Sequence, residues 1–280
     1  MRRINTKDIS ALISRLCIGA NTDLRPDIKR AIEKAAKREK DYRAKRMLRY
    51  IINNADMAKA EGIPICQDTG LAVVLIEMGQ GVMVEGGFLG KAVDEGVRKG
   101  YIGGYLRKSV VSSPLVRKNT GTNAPAILHT EIIPGESMKI WVMPKGFGSE
   151  NKSQIRMLSP GDGEEGVIKF VKDVVKDAGP AACPPFVLGI GMGGTFDYAA
   201  FLAKKAMLRD IDKDNKDERL ASLEKKIMKE VNALGIGPMG LGGKTTAIGV
   251  NILSHPTHIA GMPVAVNVNC HATRAAYGEL

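Results

Sequence analysis

Apolar positions in the first part of the chain recur every three or four residues. Thr6 can cap a helix in which Ile9, Leu12, Ile13 and Leu16 share one face, and the pattern runs out near Gly19 and Asn21. Charged residues dominate 25–49, with acids and bases three or four apart, such as Glu33 with Lys37 and Glu39 with Arg43. That spacing predicts a charged helical pair. After Gly62 the texture changes to short apolar runs separated by Gly, Pro and Asn. Residues 71–78, 126–133, 138–143, 186–190, 246–253 and 262–268 read as strands. Between them, 88–99, 163–176, 197–208 and 216–234 read as helices, with Thr195 placed to cap the third of these. Strands and helices are interspersed without strict βαβ alternation. The pattern therefore predicts a mixed α/β (α+β) fold in a single domain over 1–280. In it, a helical N-terminal region of about 1–60 packs on a mixed-sheet region of about 61–280.

Composition narrows the class. Of 280 residues, 44% are hydrophobic and 25% charged, which excludes a disordered polypeptide. No apolar run approaches the roughly 18 residues of a membrane span. The basic start, MRRINTKDIS, leads into no apolar segment of the kind a signal peptide needs. The expectation is a soluble, cytoplasmic chain with reduced thiols. The net charge of +11 raises three possible partners: nucleic acid, an acidic substrate or an acidic protein. Residues 25–49 hold eleven Lys and Arg against four acids and so carry +7 of it. Only Tyr42 and Tyr50 accompany that stretch, a thin platform for base stacking. A solvated or partner-facing surface is preferred over nucleic-acid binding.

The four cysteines are not equivalent. Cys17 lies in the first helical pattern and reads as a buried small hydrophobe. Cys66 (PICQDTG), Cys183 (AACPPF) and Cys270 (NVNCHAT) each stand at a strand end or loop. They are 117 and 87 residues apart, with no local CxxC clip of the kind structural zinc sites or ferredoxin-type carriers show. Three distant loop thiols can hold a [4Fe–4S] cube at three corners and leave one iron open as a Lewis acid; ordinary loop thiols are the alternative. Gln67 and Asp68 follow Cys66, while His258, His271 and Arg274 flank Cys270. Acid–base and carboxylate-binding groups thus accompany two of the three thiols.

Two glycine-rich stretches invite a nucleotide reading. Residues 189–194 and 235–240 both match G-x-G-x-x-G, and Lys244-Thr245 ends a segment like a phosphate-binding loop. Pro238 occupies that loop's first glycine position, and a strand follows where a helix is required. Nucleotide binding is discounted. The glycines are expected in loops that let backbone N–H groups approach an anion or a cluster, or simply in tight turns.

Taken together, PICQDTG (64–70), VRKNTGTNAPA (116–126), PKGFGSENKS (144–153), GIGMGGTFD (189–197), GIGPMGLGGKTTAIGVNI (235–252) and HPTHIAGMPVAVNVNCHA (255–272) carry a resemblance. The chain resembles the α subunit, or N-terminal half, of iron–sulfur class I fumarases and the related L-tartrate dehydratases. The resemblance implies that Cys66, Cys183 and Cys270 hold a [4Fe–4S] cluster, with cluster-binding loops at strand ends and Cys17 outside the site. It implies Asp68 and His258 as the acid–base pair, and Gln67, Arg117 and the 146–148 loop, with Gly148, as substrate-binding positions. Phe147 departs from the pattern, standing where KGGGSENKS-like segments have a small residue. The implied reaction is reversible hydration of fumarate to malate, with Arg117 a fork for a carboxylate. L-Tartrate dehydration is the alternative, and a non-catalytic iron–sulfur electron carrier a lesser one.

Single-chain members of that family continue into a C-terminal domain, whereas this chain stops ten residues after Cys270. The expectation is that it is inactive alone and pairs with a separate β subunit, as α2β2, to act on a small dicarboxylate. Neither nucleic acid nor membrane is an expected partner.

Overall fold

The computed structural model describes residues 1–280. In chain order the elements begin with strand β1 (Arg2–Asn5) and helices α1 (Thr6–Thr22), α2 (Pro26–Arg38) and α3 (Tyr42–Glu61). Next come β2 (Leu71–Gly79), β3 (Val82–Glu85), α4 (Leu89–Gly103), β4 (Ile127–Ile133), β5 (Met138–Lys145) and the short α5 (Phe147–Glu150). Then follow β6 (Gln154–Leu158), α6 (Gly163–Ala178), β7 (Phe186–Gly194), α7 (Phe196–Ala206) and α8 (Glu218–Asn232). Strands β8 (Ala247–Thr257), β9 (Met262–Asn269) and β10 (Ala276–Glu279) complete the chain. The fold is mixed α/β, as the patterning predicts. The chain divides into two compact units: Met1–Arg25, Ala55–Phe147 and Arg274–Leu280 form the first, Pro26–Asn54 and Gly148–Thr273 the second. The N-terminal helices are shared between them, α1 in the first, α2 and most of α3 in the second.

The first unit is built on a mixed sheet of order β10-β5-β2-β4, in which β2 runs parallel to β4 and antiparallel to β5. Asn5, not Thr6, caps α1: its side-chain oxygen accepts the Lys7 N–H at 2.9 Å. Ile9, Leu12, Ile13 and Leu16 are buried, in a core with Val74 and Ile76 of β2, Ile140 and Val142 of β5, and Val93, Val97 and Tyr101 of α4. Helices α1 and α4 approach closely because α4 presents glycine. A Cβ on Gly96 would stand 2.7 Å from the Ile13 Cβ, and one on Gly100 equally close to the Cys17 Cβ. Cys17 is thus a fully buried packing residue, and burial pushes its thiol up to about 12.

The second unit holds a sheet of order β6-β9-β7-β8, with β7 antiparallel to β9 and parallel to β8. Leu188 and Ile190 turn to a core shared with Val167, Phe170 and Val174 of α6 and Leu223, Ile227 and Val231 of α8. The intervening Gly189 and Gly191 face the opposite side, where α7 lies directly on the strand. A methyl on either would be driven into the carbonyls of Ala203 or Ala199. The stretch expected to end as a strand at 190 continues to Gly194, and Gly189 and Gly191 serve helix-on-strand packing and not a loop. Thr195 does occupy the cap position of α7, but its hydroxyl donates to Asp197 Oδ1 at 2.6 Å and accepts no helix N–H.

In the charged helical stretch two buried acids, Asp27 and Glu39, serve backbone N–H groups. Asp27 accepts the Ile211 N–H at 2.9 Å. Glu39 gives both oxygens to backbone N–H groups, those of Lys40, Asp41 and Lys244. Arg30, Lys34, Lys37, Arg38, Lys40, Arg43, Arg46 and Arg49 stand exposed.

Candidate active site

In the first unit, the segment from Ile65 to Gly70 links α3 to β2 as irregular backbone held at almost every residue. The Ile65 N–H reaches the Asn21 carbonyl at 2.9 Å. Thr69 donates its hydroxyl to the Arg107 carbonyl at 2.8 Å. The Tyr101 hydroxyl lies 2.7 Å from the Thr69 carbonyl and 3.1 Å from that of Gly70. Burial raises the Tyr101 phenol, so it remains a donor. The Asn123 amide adds a bond to the Gly70 carbonyl at 3.0 Å, while its oxygen accepts the N–H groups of Ser109 and Val110.

Within this frame Cys66 is half-buried, Gln67 is exposed, and Cys66 Sγ lies 3.5 Å from Gln67 Oε1. Asp68 is half-buried, with one carboxylate oxygen accepting the Gly70 N–H and the other the Phe147 N–H, each at 2.9 Å. Its carbonyl accepts Arg274 Nη1 at 2.6 Å. Phe147 thus contributes its backbone, and its ring is left 47% exposed. Arg117 stands exposed on the loop before β4, in left-handed backbone (φ 57°), beside the exposed Leu115 and Val116.

In the second unit, Cys183 follows a 3-10 turn at Gly179–Ala182 and is itself left-handed (φ 55°). Cys270 follows the last residue of β9. The two segments are tied directly: the His271 N–H reaches the Cys183 carbonyl at 3.2 Å, and His271 Nδ1 lies 3.1 Å from the same oxygen. Thr273 secures the other side, its hydroxyl donating to the Cys270 carbonyl at 2.8 Å. Residues 149–153 fasten to the end of β9, where Asn267 donates to Glu150 at 2.8 Å and to the Ser153 hydroxyl at 3.0 Å. Gly148 is exposed at the head of that segment. His258 is exposed in the tight turn between β8 and β9; its Nδ1 accepts the Ala260 N–H at 3.2 Å and its carbonyl the Gly261 N–H at 3.0 Å. An imidazole accepting at Nδ1 carries its proton on Nε2 when neutral.

Comparison with known proteins bears on this arrangement. Residues 10–279 match the fumarate hydratase (Fumerase) family. The chain belongs to that family. A Methanocaldococcus jannaschii protein provisionally named L(+)-tartrate dehydratase subunit alpha is 40% identical over 274 residues, 96% of each chain. The L(+)-tartrate dehydratase subunit alpha of Escherichia coli is 32% identical over 214 residues, 75% of this chain and 70% of its own. That of Shigella sonnei matches to the same extent. Membership in the fumarate hydratase family supports an enzyme of the hydro-lyase class.

Fumarate hydratase membership gives the thiols a context that their positions can be tested against. Neither unit by itself gathers three His, Cys, Asp or Glu side chains into a metal-holding group. The first offers the half-buried Cys66, the second the half-buried and mutually tied Cys183 and Cys270, and all four cysteines are thiols. Thiolates on fixed backbone at accessible positions suit an iron–sulfur cluster; the fully buried Cys17 does not. No helix is long and apolar enough to cross a membrane.

His255 packs edge-on against Tyr198, ring centroids 4.8 Å apart, and Lys244 of the glycine-rich stretch gives its N–H to Glu39. Three residues that shape the Asp68 turn escaped the sequence reading, Asn21, Tyr101 and Asn123; so did the buried Lys145, whose Nζ lies 3.5 Å from the Gly146 carbonyl. Tyr101 lies on the apolar face of a helix and the two asparagines look like turn formers. Only the PKGFG motif hinted at the lysine.

Proposed function

We propose that this chain is the α subunit of a cytoplasmic hydro-lyase that hydrates fumarate to malate reversibly. Fumarate hydratase family membership supports the class. The observation that carries the assignment of chemistry is the Asp68 carboxylate, fixed by two backbone N–H groups two residues from Cys66. Cys66, Cys183 and Cys270 would hold a [4Fe–4S] cluster. When bound, the cluster supplies a Lewis-acid iron that polarises the substrate oxygen.

Asp68 then carries the proton to or from the oxygen that adds or leaves, with its anchored oxygens limiting the directions it can approach from. His258, with a proton available at Nε2, partners it. Arg117 grips one carboxylate of the dianion through two parallel N–H donors. Gln67 and the backbone at Gly148 complete the substrate contacts. Names ending in subunit alpha among the relatives support a separate β subunit; in this reading the two pair as α2β2 and the β subunit makes the remaining substrate contacts.

The same relatives favour a second reading, L(+)-tartrate dehydration, on identical machinery. The test is anaerobic reconstitution with iron and sulfide, with and without the β subunit, followed by rates on fumarate, malate and L(+)-tartrate. Malate formation that requires the β subunit is the expected result. A kcat/KM for L(+)-tartrate above that for fumarate would replace the first reading by the second. Full activity of this chain alone would end the two-subunit assignment. Serine at Cys66, Cys183 or Cys270 should abolish the cluster's visible absorption, and serine at Cys17 should spare it.

A further inference from the structure

Arg274 looks, in sequence, like a carboxylate clamp four residues beyond Cys270. The structure gives it other work. It is 2% exposed, and its Nη1 donates to the Asp68 carbonyl at 2.6 Å and to Asn21 Oδ1 at 2.9 Å. Its Nε is buried with no hydrogen-bond partner. Leaving a buried guanidinium donor unmet is unfavourable, so its place in this unit calls for a compensating role. The remaining nitrogen shows what that role is. A Cβ built on Gly146 would stand 3.1 Å from Arg274 Nη2 and 3.2 Å from Asp68 Oδ2. The guanidinium and the carboxylate therefore border one small space that exists because residue 146 has no side chain.

We propose that Arg274 is the positioning residue of Asp68: it fixes the Asp68 carbonyl with one nitrogen and flanks the carboxylate with another across Gly146. Pinning the carbonyl sets the backbone of the turn so that the carboxylate meets the Gly70 and Phe147 N–H groups. A lysine has one nitrogen and no planar fork, so it cannot reach both sides of the turn at once. The proposal rests on the reading of Asp68 as proton carrier.

The experiment compares amide hydrogen exchange in the full chain, wild type against Arg274→Lys, and kcat and KM in the reconstituted enzyme. The expected result is exchange about tenfold faster or more at Phe147 and Gly70, with the Val74 and Val142 amides of the sheet unchanged. In the enzyme, kcat falls about ten- to hundredfold while KM stays within about threefold. Unchanged protection at Phe147 overturns the proposal. So does a loss of protection spread evenly over the sheet, which would mark Arg274 as a plain stability element. Should the lysine variant not fold, Gly146→Ala carries the test: the guanidinium stays and the shared space fills. Faster exchange confined to Phe147 and Gly70 supports the proposal there, and wild-type exchange overturns it. Asp68→Asn separates the underlying reading. Retained activity in that variant removes Asp68 as proton carrier, whereas the exchange pattern judges Arg274 independently.

Discussion

The turn that carries Asp68 and the turn that carries His258 differ in almost every physical respect. The first lies between a helix and a central strand, and the carbonyls of three successive residues, Asp68, Thr69 and Gly70, accept hydrogen bonds from the buried side chains of Arg274, Tyr101 and Asn123. The second joins β8 to β9, which flank β7 in the sheet, and is exposed, its imidazole held by a single N–H. A side chain anchored at both oxygens acts in one geometry; one anchored at a single ring nitrogen keeps its freedom. The proposed acid–base pair thus combines a fixed member with an adaptable one, and the two should answer mutation differently.

Asp68→Asn should give the largest effect. Loss of a positioned proton carrier lowers kcat by about 10²- to 10⁴-fold. Because one N–H then faces an amide NH₂, stability should also drop by about 1.5–3 kcal/mol. Urea titration alongside steady-state rates checks both. His258→Asn is the counterpart: kcat should fall while stability stays within about 0.5 kcal/mol. A comparable stability loss in both variants would break the contrast. Tyr101→Phe removes one donor from the frame of the Asp68 turn and should destabilise the chain by about 1–3 kcal/mol, with KM little changed.

The remaining effect concerns pH, shows only in alkali, and belongs to the frame beneath that turn. Cys17 has its folded thiol raised from 9.0 to about 12 by burial. A raised value stabilises the fold fully below the unfolded value. That contribution is lost as pH climbs from 9.0 toward about 12, because the unfolded chain ionises first. Stability should therefore decline over this alkaline window, and Cys17→Ala should flatten the decline. Identical slopes for the two proteins would show that the thiol does not contribute.

The main strands and long helices were legible in the sequence because apolar periodicity at 71–78, 138–143, 163–176 and 262–268 is strong. The strands that escaped it, β1, β3, β6 and β10, have four or five residues each, too few to show a period. The division into units was hidden for another reason. Each unit is assembled from segments far apart in sequence, so the charged stretch that starts at Arg25 reads as a helix surface and not as a boundary, and nothing marks Asn54. In the site, residue types beside the cysteines were readable, but their tasks were not. Arg274 carries the signature of a surface or ligand-facing cation, and only burial reveals a backbone anchor. Glu39 likewise fits a helix-surface pair by spacing, yet it serves backbone N–H groups.

The glycines of β7 have one more consequence. Gly189 and Gly191 lie where α7 rests its backbone on the strand, so nearly every substitution there must lift a helix off a sheet. Such positions would appear invariant in any mutational scan of this protein, as intolerant as a ligand-binding residue while touching no ligand. Tolerance maps of this unit will therefore report two things at once, and separating them requires growth or activity to be scored against abundance. A variant that loses protein and activity together belongs to the strand–helix contact. One that keeps its abundance and loses activity belongs to the chemistry.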